Sequence, residues 1–126
     1  LEDVLKEADY VSIGTSLNED TYHIITKKEL SYMKPSAYLI NTARGAIVNQ
    51  DDLYYALVNH QIAGAGLDVL ENEPVESSHP LPQLPNVVYT PHMGASTDEA
   101  LLRVGLAVVD AVKKYKNGEI CEHLLF

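Results

Sequence analysis

Cysteine is almost missing from this 126-residue chain, where Cys121 stands alone. No disulfide can form within the chain, and a reducing compartment is the expected setting. Basic residues are scarce as well. Nine lysines and arginines face 18 aspartates and glutamates, a formal net charge of −9, which repels nucleic acid and anionic lipid, so neither is an expected partner. No apolar run approaches the roughly 20 residues of a membrane span, and no basic stretch leads into an apolar one as in a secretion signal. No membrane association and a cytoplasmic location are therefore expected. Internal repeats and low-complexity tracts are lacking. What remains is 46% hydrophobic, ordinary for one packed domain.

An initiator methionine is absent too. The chain opens inside a helical pattern, with Leu1, Val4, Leu5 and Ala8 on one face, and a piece of a longer protein is expected. A strand at 10–13 is stopped by Gly14, and 15–21 reads as a loop. Thr26 and Glu29 form a capping box for a helix to about Met33, ended by Lys34-Pro35-Ser36. Residues 37–41 are apolar almost throughout, as in a parallel strand covered on both faces. Asn49 caps a helix whose buried stripe is Leu53, Ala56 and Leu57, and His60-Gln61 marks its exit. A third strand at 63–69, a loop punctuated by four prolines and a fourth strand at 87–90 follow. Ser96 and Glu99 box the start of a last helix with the stripe Leu101, Val104, Val108, Val109 and Val112; three lysines precede Gly118 at its end. Strands alternating with helices predict an α/β fold, a parallel sheet with flanking helices that makes half of a doubly wound domain, its first strand left as an open edge.

Ligands of such sheets bind beyond the carboxyl ends of the strands. There the second strand runs into Thr42-Ala43-Arg44-Gly45, the third into Asp68 with Glu73-Pro74 behind it, and the fourth into Pro91-His92. The planar fork of Arg44 suits a substrate carboxylate, with Gly45 admitting a ligand close to the backbone. The plain alternative is a rim arginine paired with an acid. His92 can give or take a proton, and Glu73 is the candidate carboxylate to support its charged form; the alternative is a structural histidine at a strand end. Asp68 can orient an amide or serve as a turn acid. Arg103, His23, His60, His79 and His123 read as surface or capping residues, and Glu71 and Glu76 as solvated. Asp68, Glu73, His79 and His92 lack paired metal-ligand spacing, so no metal is expected. Ser96, His92 and Asp68 lack a G-x-S-x-G elbow. Gly64-Ala65-Gly66 enters a strand rather than leaving one, and Val69 holds the third glycine position of a dinucleotide fingerprint.

Four segments in order, 29–45 with its Asn41-Thr42-Ala43-Arg44-Gly45, 62–69 with Gly64-Ala65-Gly66-Leu67-Asp68-Val69, Glu73-Pro74, and 84–97 with Thr90-Pro91-His92-Met93-Gly94, resemble the D-isomer-specific 2-hydroxyacid dehydrogenases. The resemblance covers about residues 1–118. It implies the second half of a Rossmann-like NAD(P)-binding domain over 1–118, including a return helix at 97–117, with 119–126 an unassigned tail. It implies Arg44 binding the substrate carboxylate and polarising its 2-oxo group, His92 as acid and base, and Glu73 as its support. Thr42, Ala43, Asp68, His92 and Gly94 are the implied cofactor contacts. Asp68 would orient the nicotinamide carboxamide.

By that resemblance the intact protein is an oxidoreductase, a homodimer, moving a hydride between NAD(P)H and a small 2-oxo or D-2-hydroxy acid. NAD is the expected cofactor and NADP its alternative. The chain departs from the pattern at Gly14-Thr15-Ser16-Leu17, where the family has His-x-Pro-Leu, and at Ser36, where a glycine is usual. The G-x-G-x-x-G half of the nucleotide domain and most of the substrate domain are missing. By itself the chain is expected to bind NADH weakly or not at all, to transfer no hydride and to self-associate through its open edge. A second class is an NAD(H)-sensing corepressor-like protein on the same fold. A third, the formate dehydrogenases, carries Gln where Glu73 stands.

Overall fold

Hydrogen bonding joins β1 (Tyr10–Ile13), β2 (Tyr38–Asn41), β3 (Gly64–Leu67) and β4 (Val87–Tyr89) into one parallel sheet in the order β1-β2-β3-β4. The structure is a computed structural model that describes residues 1–120; Cys121, His123 and the rest of the 121–126 tail lie outside the described residues. The register is level, with Ile13 beside Asn41, Asn41 beside Leu67 and Leu67 beside Tyr89. All four strands thus release their chains at the same rim. The chain divides into two compact units, Leu1–His92 and a second that starts at Met93.

In the first unit, α1 (Glu2–Glu7), α2 (Lys27–Leu30) and α3 (Gln50–Val58) flank the sheet. Leu39, Leu30, Leu53, Leu57 and Ile62 are buried in one apolar cluster with Ile13 and Leu67. Each such side chain contributes on the order of 1.5–3 kcal/mol of apolar transfer. Asn49 caps α3 by accepting from the Asp52 N–H, and Leu53, Ala56 and Leu57 are its buried stripe, as the spacing predicts. The α1 stripe is narrower than its periodicity suggests, for only Leu5 is buried while Leu1 and Val4 stand exposed. The Thr26–Glu29 capping box forms, but α2 ends at Leu30 instead of near Met33. Residues 31–33 close instead in tighter turns, with Tyr32 N–H on the Glu29 carbonyl and Met33 N–H on the Leu30 carbonyl.

β3 and β4 are shorter than predicted, because the chain leaves the ladder for the rim. No helix joins them. A 3₁₀ turn at Leu81–Gln83, with Leu81 fully buried, anchors that connection. At its end Gly64 is obligatory, since a Cβ there would lie 2.5 Å from the Asn86 carbonyl oxygen. The second unit carries α4 (Asp98–Lys116), a 19-residue helix with no buried residue. Its cap is Thr97, not Ser96. The Thr97 hydroxyl accepts from the Ala100 N–H, while Ser96 belongs to the preceding turn with its N–H on the Met93 carbonyl. No helix among the described residues is long and apolar enough to cross a membrane.

Candidate active site

Past the end of β2 the chain folds around a buried amide. Asn41 is 1% exposed; its Oδ1 accepts from the Ala43 N–H at 3.1 Å and its Nδ2 donates to the Arg44 carbonyl at 3.0 Å. A single side chain thereby shapes the turn through Thr42 and Ala43 and delivers Arg44 to the rim. Sequence reasoning missed Asn41. The available signal was a polar residue closing an otherwise apolar strand, which must find partners if it is buried. The Arg44 guanidinium donates from Nη1 to the Ala43 carbonyl at 2.7 Å, and no carboxylate among the described residues forms an ion pair with it. Gly45 admits backbone, not a ligand. A Cβ there would sit 2.0 Å from the Leu70 carbonyl carbon, so the arginine turn lies directly on the segment that leads to Glu73.

His92 and Glu73 are brought into contact. His92 Nδ1 and Glu73 Oε2 are 2.6 Å apart, and Glu73 Oε1 accepts from the Leu70 N–H at 3.0 Å. Burial pushes the Glu73 carboxyl up, but the hydrogen bonds from His92 and the Leu70 N–H, with the His92 charge, outweigh this and hold it below its ordinary value. His92 sits in left-handed backbone, φ 52°, uncommon for a residue with a Cβ. Its N–H is fixed there by the carbonyls of Asp68 at 2.8 Å and Thr90 at 3.0 Å. With Nδ1 committed to Glu73, Nε2 is the nitrogen available to exchange a proton. Asp68 is 7% exposed, its carboxylate accepting from the Thr90 hydroxyl and its N–H bonded to the Asn41 carbonyl. Burial, followed by the Glu73 and Asp68 charges, pushes the Tyr89 phenol up and keeps it neutral beside them.

Arg44, Glu73 and His92 line one cavity of about 250 Å³, together with Leu17 and Glu71. Arg44 also borders a second cavity of about 440 Å³ walled by Gly14, Thr15, Ser16, Leu17 and Ala43. Glu73 and His92 border a third, of about 590 Å³, under the proline loop with Val75, Tyr89 and Pro91. Thr42 is exposed at the rim, and Gly94 falls in the second unit. Glu71 is not the solvated residue expected, and His23 and His79, read as surface or capping residues, are tied to it through side chains. They share a part-buried hydrogen-bond network with Gln50, spanning 21 to 48 residues of sequence, and local periodicity carries no signal of it. Among the described residues no group of three or more His, Cys, Asp or Glu is placed to hold a metal ion.

The family model of the D-isomer specific 2-hydroxyacid dehydrogenase NAD binding domain matches residues 1–94. A glyoxylate reductase of Korarchaeum cryptofilum is 44% identical over 99% of this chain and 38% of its own length. A D-isomer specific 2-hydroxyacid dehydrogenase of Lactobacillus delbrueckii, solved in its NAD-complexed form, superposes with a TM-score of 0.93 at 35% identity, over the whole of this chain and 42% of that one. The TT0316 protein of Thermus thermophilus gives a TM-score of 0.95 at 39% identity, covering 99% of this chain and 40% of that one. This chain thus spans about two fifths of the proteins it matches.

Proposed function

The chain belongs to the D-isomer specific 2-hydroxyacid dehydrogenases, in their NAD-binding domain, and from that premise we propose that it supplies the acid/base pair and the carboxylate anchor for reduction of a small 2-oxo acid to its D-2-hydroxy acid, and for the reverse reaction. The observation that carries the reading is the shared cavity of Arg44, Glu73 and His92, with the 2.6 Å contact between the last two. In this reading residues 1–118 are the second half of the nucleotide domain. The intact enzyme is a cytoplasmic homodimer, the location resting on the single cysteine.

The 440 Å³ cavity fits the nicotinamide end of the cofactor. No atom lies within 4 Å of the place a Gly14 Cβ would take, so a flat ring can approach the backbone at the end of β1. Thr42 and Ala43 would contact it from the next strand and His92 from beyond the fourth, and Asp68 would orient its carboxamide. When bound, NAD(H) supplies or accepts the hydride. Arg44 holds the substrate carboxylate through its fork and draws charge toward the 2-oxo oxygen. His92 gives that oxygen a proton from Nε2 on reduction and removes it on oxidation. Glu73 fixes the ring through Nδ1 and stabilises its charged form, and is itself fixed by the Leu70 N–H.

The test is NADH oxidation by the full-length protein across a panel of 2-oxo acids beginning with glyoxylate, repeated with NADPH. Turnover that vanishes in His92→Ala while NADH still binds supports the reading. Tight NADH binding without oxidation of any 2-oxo acid overturns it in favour of a nucleotide sensor.

A further inference from the structure

Beside the Arg44 turn stands a set of polar side chains that the proposed chemistry does not use. Glu71 Oε1 accepts from His23 Nε2 at 3.0 Å and from the Gln50 N–H at 2.8 Å, while the Glu71 N–H donates to Gln50 Oε1 at 3.1 Å. Both His23 and Glu71 side chains are 23% exposed. The Asn49 Oδ1 is committed to the Asp52 N–H, which turns Nδ2 toward His23 Nδ1 at 3.4 Å. Nδ1 therefore accepts and Nε2 carries the proton given to Glu71. His23 has left-handed backbone, φ 49°, with its N–H on the Ala46 carbonyl at 2.9 Å, one residue past Gly45.

What hangs from His23 is a loop closed on itself. Asn18 Oδ1 accepts from the N–H groups of Asp20 and Thr21, and the Thr21 hydroxyl donates to the Ser16 carbonyl at 2.7 Å. These bonds brace the loop internally, and His23 joins it to the Arg44 side of the rim. It carries Leu17, which lines both cavities that meet at Arg44, and Glu71 lines one of them.

We propose that His23 and Glu71 form a clasp that sets the Leu17 loop against the Arg44 turn, making both positioning residues for the ring of the nicotinamide cofactor. The inference rests on the cofactor reading above, but the clasp has a readout of its own. In the full-length protein, His23→Asn keeps a residue tolerant of left-handed backbone but too short to reach Glu71. Glu71→Ala removes the acceptor, and Glu71→Gln keeps one. Amide hydrogen exchange of residues 16–22 without cofactor is expected to quicken about tenfold in the first two variants and to stay near the parent in the third. The NADH Kd should rise about tenfold in the same two, with kcat at saturating NADH within about threefold, and the double variant should be no worse than either alone.

Unchanged exchange in both breaking variants overturns the clasp. Faster exchange with an unchanged NADH Kd, or additive losses in the double variant, overturns the positioning role. A parent protein that binds no NADH removes the cofactor reading and with it the positioning role, and the exchange experiment then still decides the clasp.

Discussion

Arg44 reaches its cavity from a turn that closes within three residues around the buried Asn41 amide, with backbone packed against Gly45 from the other side. His92 reaches the same cavity in left-handed backbone, half exposed, its ring oriented by a glutamate 19 residues away. One wall is set by local covalent geometry and burial. The other is set by a side-chain contact between residues far apart in sequence. The contrast is between a turn built around one buried amide and a ring held by a partner distant in sequence; in the function proposed above, the first carries the anchor and the second the proton carrier.

Substitutions can break this comparison. His92→Ala in the intact enzyme should lower kcat by about 10²–10⁴-fold while leaving the melting temperature nearly unchanged, because the ring is 48% exposed. Stopped-flow NADH oxidation and a thermal melt on the same sample check both halves, and a large drop in melting temperature would erase the contrast. Gly45→Ala should act the opposite way. Its methyl would enter the Leu70–Glu71 backbone, and overpacking of this kind costs about 3 kcal/mol, read as a lowered denaturant midpoint. Asn41→Ala strands two backbone groups at the turn, for about 2 kcal/mol, and should raise KM for the 2-oxo acid more than it lowers kcat. A fall in kcat alone would mean that the amide does not position Arg44.

The same division governs what could be read from sequence. The alternation of strands and helices, the Asn49 cap, the Thr26 box and the strand-end placement of Arg44, Asp68, Glu73 and His92 follow from patterns a few residues long. The meeting of Glu73 with His92 could be proposed from their chemistry. The role of Gly45 could not. A glycine beside an arginine reads as room for a ligand until β3 brings Leu70 against it. Glu71 and His23 lie further out of reach, 48 residues apart in acidic or polar loops, where composition favours solvation over a clasp. The missed helix ends at Leu30 and Thr97 are smaller errors of one turn or one residue.

The smallest predicted effect sharpens the comparison at Glu73. Its carboxyl is held below the ordinary value of 4.5, burial being outweighed by the bonds from His92 and the Leu70 N–H. In the unfolded chain it takes up a proton near the ordinary value; in the folded chain it does so only at lower pH. Between those points the unfolded state binds more protons, so stability rises with pH. The contribution is fully present above about pH 5, and it is lost as pH falls through the lowered folded value. The side chain is 31% exposed, and solvent keeps the magnitude modest. Denaturant midpoints of the parent and Glu73→Gln, measured from pH 6 to pH 3, should therefore differ by a constant amount above pH 5 and converge below it. A gap that persists into acid would mean that Glu73 is held by its neutral packing alone. The contact with His92 would then be held by packing, as the arginine turn is.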